Sequence, residues 1–159
     1  MRYFDLVLLS EQLLPGVFNR AVLDAYEIDQ YKETDMIGMK TKIISARVTS
    51  RDDMNYNVVV QINRVDCGCT EERDVLVRCT CPAFRFWFAE ANRRHHVLYG
   101  MHFKQYVPVP SHLLTRPRRA PLNPGNVPGV CKHIILLMKS LQREGVVSRG
   151  GDYDVGKLI

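Results

Sequence analysis

The sequence predicts an α+β fold in which a small antiparallel β-meander, or hairpin, packs with helices. Three observations carry this expectation. Residues 41–50, 57–65 and 74–79 are rich in β-branched side chains and are bounded by polar turn clusters. The connections between them are too short for a crossover helix, so the strands must run antiparallel. The stretches 82–93 and 131–144 instead repeat apolar residues at helical spacing.

The chain has 159 residues, 46% hydrophobic and 25% charged, which suits one globular domain over 1–159. It divides into an N-terminal helical segment (1–40), the meander and helices (41–145) with an insertion at about 94–130, and a tail (146–159). No apolar run is long enough for a transmembrane helix, so no membrane partner is expected. The opening MRYFDLVLLSEQLLPG carries Asp5 within its apolar patch and no small-residue cleavage site, unlike a signal peptide. A reducing cytoplasm is therefore expected, where clustered cysteines favour metal over disulfide. The net charge of +5 is uneven. Residues 1–65 carry 8 basic and 9 acidic side chains, whereas 82–130 carry 7 basic and 1 acidic. That asymmetry suits a solvated basic loop, or a polyanionic or acidic partner.

Taken in order, Pro15-Gly16 breaks the first apolar stretch, and Val17, Phe18, Ala21, Val22 and Ala25 then predict a helix over about 16–27. Residues 31–39 (YKETDMIGM) show no period and read as a loop. The first strand, 41–50, meets the turn cluster Ser50-Arg51-Asp52-Asp53. The second, 57–65, places Val58, Val60 and Ile62 on one face, and the polar turn 66–73 leads to the third, 74–79. Pro82 suits the first position of a helix, where its missing N–H costs nothing. Phe84, Phe86, Trp87, Phe88 and Ala91 supply its apolar faces, for which core packing is the expected role; nucleic-acid stacking would need exposed rings. Residues 94–129 hold six of the eight prolines and form an excursion with one short strand at 97–107. The last helix begins near Cys131, carries the stripe Ile134, Leu137, Met138 and Leu141, and ends before Gly145.

Two cysteine-containing pairs give the chain its chemistry. Along the extended Cys79-Thr80-Cys81 both thiols point to one side, with Cα atoms roughly 6–7 Å apart. Cys131-Lys132-His133 opens the last helix. Three thiols and one imidazole make a complete tetrahedral set for Zn2+, a closed structural site with no position left for substrate. Cys67 and Cys69 form a second C-x-C near the tip of the hairpin, with Cys79 expected to pair near Val60. They read by default as turn cysteines; a second weak metal site, a redox pair, or an all-thiolate set with Cys79 and Cys81 are alternatives. His95 and His96, with His102 or His112, are read as solvated rather than as another metal site. No nucleophile–base arrangement, Gly-rich phosphate loop or carboxylate pair is present, so no enzyme is expected.

The spacing C-x-C and C-x-H, with the continuations Cys79-Thr80-Cys81-Pro82-Ala83-Phe84 and Cys131-Lys132-His133-Ile134-Ile135, resembles the SWIM zinc finger. The resemblance covers about 75 residues and implies a ββα core in which Cys79, Cys81, Cys131 and His133 bind zinc. The 49 residues between Cys81 and Cys131 exceed the family's usual spacing, a departure that loop-closure entropy permits because it grows only logarithmically. Together with Asn123-Pro124-Gly125, Pro128-Gly129 and Cys131-Lys132-His133, the long insertion resembles SWIM-type proteins of tailed bacteriophages. That likeness implies a non-enzymatic structural protein of a virion (tail, baseplate or head-neck), assembled in the host cytoplasm and contacting other virion proteins or identical copies. The alternative it permits is a nucleic-acid-binding module in the host cytoplasm, using Arg116, Arg118 and Arg119 on phosphate.

Overall fold

A computed structural model of the chain describes residues 1–17, 27–36, 41–49, 54–63, 74–100 and 123–146. Within them the fold is α+β. The elements are α1 (Tyr3–Leu13), β1 (Glu27–Met36), β2 (Thr41–Thr49), β3 (Asn55–Asn63), β4 (Val75–Cys79), α2 (Ala89–Arg94) and α3 (Lys132–Arg143). The strands form one antiparallel sheet in the order β1-β2-β3-β4.

Side-chain alternation builds the core face of that sheet. Ile44, Ala46 and Val48 of β2, Val58, Val60 and Ile62 of β3, and Val75, Val77 and Cys79 of β4 are all buried. Helix α3 lies against β2, β3 and β4 and buries Ile134, Ile135, Leu137, Met138 and Leu141. Each such side chain contributes about 1.5–3 kcal/mol by leaving water. The outer edge of β4 is covered: Val75 N–H donates to Met1 O, Val77 N–H to Val97 O, and Tyr99 N–H to Val77 O. Leu98 pairs with Val77 in parallel, so the strand expected at 97–107 is a single bridge among the described residues.

The N-terminal expectations need correction. Residues 27–36 are a strand, not the end of a helix and a loop, and the segment 1–40 holds α1 and β1. Among the described residues β1 pairs only with β2, at one end of the sheet, and Lys32 and Thr34 are exposed. The remainder of the expected 16–27 helix, residues 18–26, lies outside the described residues. The β3–β4 register also differs, with Cys79 opposite Val58 rather than Val60.

After Cys81 the chain winds through a π-helical turn, Phe84–Phe88, directly into α2. The Ala89 N–H donates to Phe84 O, five residues back. Phe84 and Phe88 are fully buried and Trp87 is partly buried, but Phe86 is 67% exposed. The aromatic run therefore fills the core with only part of its rings. Replacing Phe86→Ser is expected to change unfolding free energy by no more than about 0.5 kcal/mol in urea titration, as for other solvated sites.

Helix α3 ends in a Schellman motif. Gly145 sits at φ 73°, its N–H donates to Gln142 O, and the Val146 N–H donates to Leu141 O. A Cβ on Gly145 would meet nothing within 4 Å, so substitution there carries a backbone cost alone. Gly145→Ala is expected to lose about 1 kcal/mol, measurable as a lower thermal midpoint, with Gly145→Asn losing less.

Candidate metal centre

The four side chains singled out by their spacing come together. Cys79 ends β4, Cys81 follows two residues on, Cys131 is the N-cap of α3, and His133 is the second residue of that helix. Thr80 faces solvent between the first two. Its N–H donates to Asn57 O at 3.1 Å and its Oγ1 accepts from Asn57 N at 3.0 Å, which carries the β3–β4 pairing one residue past Cys79. The pairing thus runs as far as Thr80, the chain bends at Cys81, and both sulfurs face the same cluster.

His133 Nδ1 lies 3.9 Å from the Sγ atoms of both Cys79 and Cys131. One ligating atom from each of the four residues falls within 4.8 Å of the others, and all four residues are buried. The Tyr56 ring lies over His133, with centroids 4.7 Å apart and the planes at 37°. Three sulfurs and one nitrogen so enclosed could hold a metal ion.

Backbone donors point at the sulfurs. The Cys81 N–H donates to Cys79 Sγ at 3.4 Å, and the Phe84 N–H donates to Cys81 Sγ at 3.3 Å. Cys81 and Cys131 each stand at the start of a helical stretch, where peptide dipoles favour negative charge. Burial pushes the Cys79 and Cys131 thiols up, whereas hydrogen bonds from Cys131 and then Cys79 hold Cys81 far below the usual thiol range. Ionising all three sulfurs in this dry interior calls for a cation among them.

The supports of the second pair lie outside both motifs. Asn92 Nδ2 donates to Gly129 O at 2.8 Å, and Gly129 N–H donates to Asn92 Oδ1 at 2.8 Å. Ser10 Oγ accepts from Val130 N–H at 2.6 Å and donates to Leu6 O at 2.6 Å. Asn123 holds the preceding loop, donating to Trp87 O and Val127 O and accepting from Val127 N–H. Both Ser10 and Asn92 are 0% exposed. No local pattern in the sequence marks either: each is a buried polar residue four positions after a buried apolar one, Leu6 or Phe88, and only the folded structure brings it to its partner.

His95 and His96 are exposed and outside the cluster; His95 Nε2 donates to Asn126 O at 3.1 Å. Cys67, Cys69, His102, His112, Arg116, Arg118 and Arg119 lie outside the described residues. The 64–73 connection joins the Ile62–Val75 end of the ladder, about 13 Å along the strands from Cys79. Comparison with protein-family models, with curated proteins and with solved structures finds no match to this chain.

Proposed function

We propose that the chain is a non-enzymatic zinc protein with a structural role in a larger assembly, and that the assembly is a bacteriophage virion. The buried Cys79, Cys81, Cys131 and His133 set carries the metal half of this reading. With Zn–S about 2.3 Å and Zn–N about 2.0–2.1 Å, a tetrahedral site has edges of about 3.8 Å between sulfurs and about 3.6 Å from sulfur to nitrogen. The 3.9 Å separations of His133 Nδ1 from two sulfurs are close to those edges. Four protein ligands would close the coordination sphere, which favours stapling over hydrolysis. The virion half rests on the resemblance of the two pairs and their flanks to SWIM-type phage proteins. In it the basic, proline-rich excursion and the tail would touch neighbouring virion proteins or identical copies.

Two measurements test the proposal. Elemental analysis of chain purified without added metal is expected to find one zinc per chain. Mass spectrometry of purified particles is expected to find the chain among the virion proteins. A chain that stays monomeric and never accompanies particles overturns the assembly role while leaving the metal site standing.

A nucleic-acid-binding module is the second reading, favoured by the 7 basic residues against 1 acidic in 82–130. Replacing Arg116, Arg118 and Arg119 by alanine would then weaken DNA binding at low salt and flatten its salt dependence. Equal binding by native and substituted chains removes this alternative.

A further inference from the structure

The two ligand pairs are joined by a second route that involves no metal ligand. Cys81 leads into the π-turn and α2, which carries Asn92. The Asn92 carboxamide bonds both backbone groups of Gly129, as a neighbouring strand would, and Gly129 lies two residues before Cys131. From the other side, Ser10 of α1 takes the N–H of Val130, the residue between them, across 120 positions of sequence. Residues 128–130 have no regular secondary structure of their own, so these bonds are what fix their backbone. The fit is close. A Cβ at Gly129 would lie 2.5 Å from Ser10 Oγ and 2.6 Å from Phe88 Cε1, so α1, the π-turn and the lead-in to α3 meet at one point.

We infer that Asn92 and Ser10 are positioning residues that hold Cys131 and His133 in ligand geometry, and that metal binding and the seating of α1 are therefore linked. The inference rests on the metal site proposed above. Neither residue touches the ion. Each acts through the backbone of 129–130, in the way that outer partners of a metal site set the direction of its ligands. Linkage works in both directions: an ion that needs Cys131 in place stabilises the Ser10–Val130 bond, and loss of that bond weakens the ion.

The test uses the full chain with Zn2+, or with Co2+ as a spectroscopic probe, and competition against a chromophoric chelator. Ser10→Ala and Asn92→Ala are expected to weaken metal affinity about 10–100-fold while leaving the Co2+ bands of a three-sulfur, one-nitrogen site unchanged. Ile62→Val, at the other end of β3, serves as a control: its loss of affinity is expected to be no more than its measured loss of stability converts to, whereas Ser10→Ala and Asn92→Ala are expected to exceed theirs. A control that loses as much affinity as the two variants would reduce their role to ordinary core packing and overturn the inference. Hydrogen exchange on the native chain needs no variant: amides of α1 around Leu6–Ser10 are expected to slow when metal is added, and unchanged exchange there also overturns it. A native chain that binds no metal refutes the metal site itself. A native chain that binds metal no better than its Ser10 and Asn92 variants refutes only their positioning role.

Discussion

Stripping metal from the native chain with a strong chelator is expected to unfold it, or to leave it stable only well below its holo midpoint. Structural zinc contributes on the order of 10 kcal/mol to small zinc folds, and a whole domain has a net stability of about 5–15 kcal/mol. Here the ion would tie Cys79 to His133 across 54 positions of sequence, joining the end of the sheet to the start of the helix that covers it. Without it, three buried thiols and a buried imidazole remain at the junction, none of them in a disulfide. Cys131→Ser is expected to behave like the stripped chain, because a hydroxyl does not replace a thiolate at zinc. The pH dependence has a definite sign. Sulfurs bound to the ion would carry no proton, whereas in the unfolded chain the cysteine thiols take protons up. The unfolded state therefore binds more protons, and stability should fall as pH falls. Circular dichroism with and without chelator, followed by one equivalent of Zn2+, checks all three points. A stripped chain melting at the holo temperature would mean that the apolar core alone sustains the fold.

The parts of this molecule written in local pattern were legible in its sequence. Val58, Val60 and Ile62 alternate, and they face the core. Ile134, Leu137, Met138 and Leu141 recur at helical spacing, and they are buried under α3. Cys79 and Cys81 are two apart on an extended chain, and their sulfurs face one cluster. What sequence concealed depends on neighbours far away. Helix α1 carries apolar residues nearly all round, Phe4, Leu8 and Leu9 besides the buried Leu6 and Val7, so no single stripe marks it. Strand β1, EIDQYKETDM, has no apolar alternation to mark it and is placed by its pairing with β2. The run Phe84–Phe88 is aromatic at four of five positions, more than one helix face can bury, and Phe86 is the ring left in solvent. Ser10 and Asn92 matter through backbone groups 120 and 37 residues away, which no local window reaches.

Phe88→Ala is expected to have the largest effect of any substitution away from the four ligands, about 3–5 kcal/mol in metal-saturated unfolding. The side chain is 0% exposed, packs against Phe84 with centroids 6.4 Å apart, and its ring edge faces Gly129. Its loss would leave a cavity beside the segment that presents Cys131. Gly129→Ala approaches the same contact from the opposite direction. The new methyl would lie 2.6 Å and 2.8 Å from two ring carbons of Phe88 and 2.5 Å from Ser10 Oγ. The ring is locked in the core and the hydroxyl is committed to Leu6 and Val130, so neither yields freely. Overpacking of this kind costs about 1–3 kcal/mol. Because the two changes concern one contact, they should not add. With the Phe88 ring removed, the alanine at 129 meets only the Ser10 hydroxyl, and Gly129→Ala should then cost less than in the native chain by at least about 0.5 kcal/mol. A double-mutant cycle in urea measures the difference. Strict additivity would show that the methyl is accommodated by a shift of the 128–130 backbone rather than opposed by the ring. In that case Gly129→Ala alone should weaken metal binding, because the same shift moves Cys131.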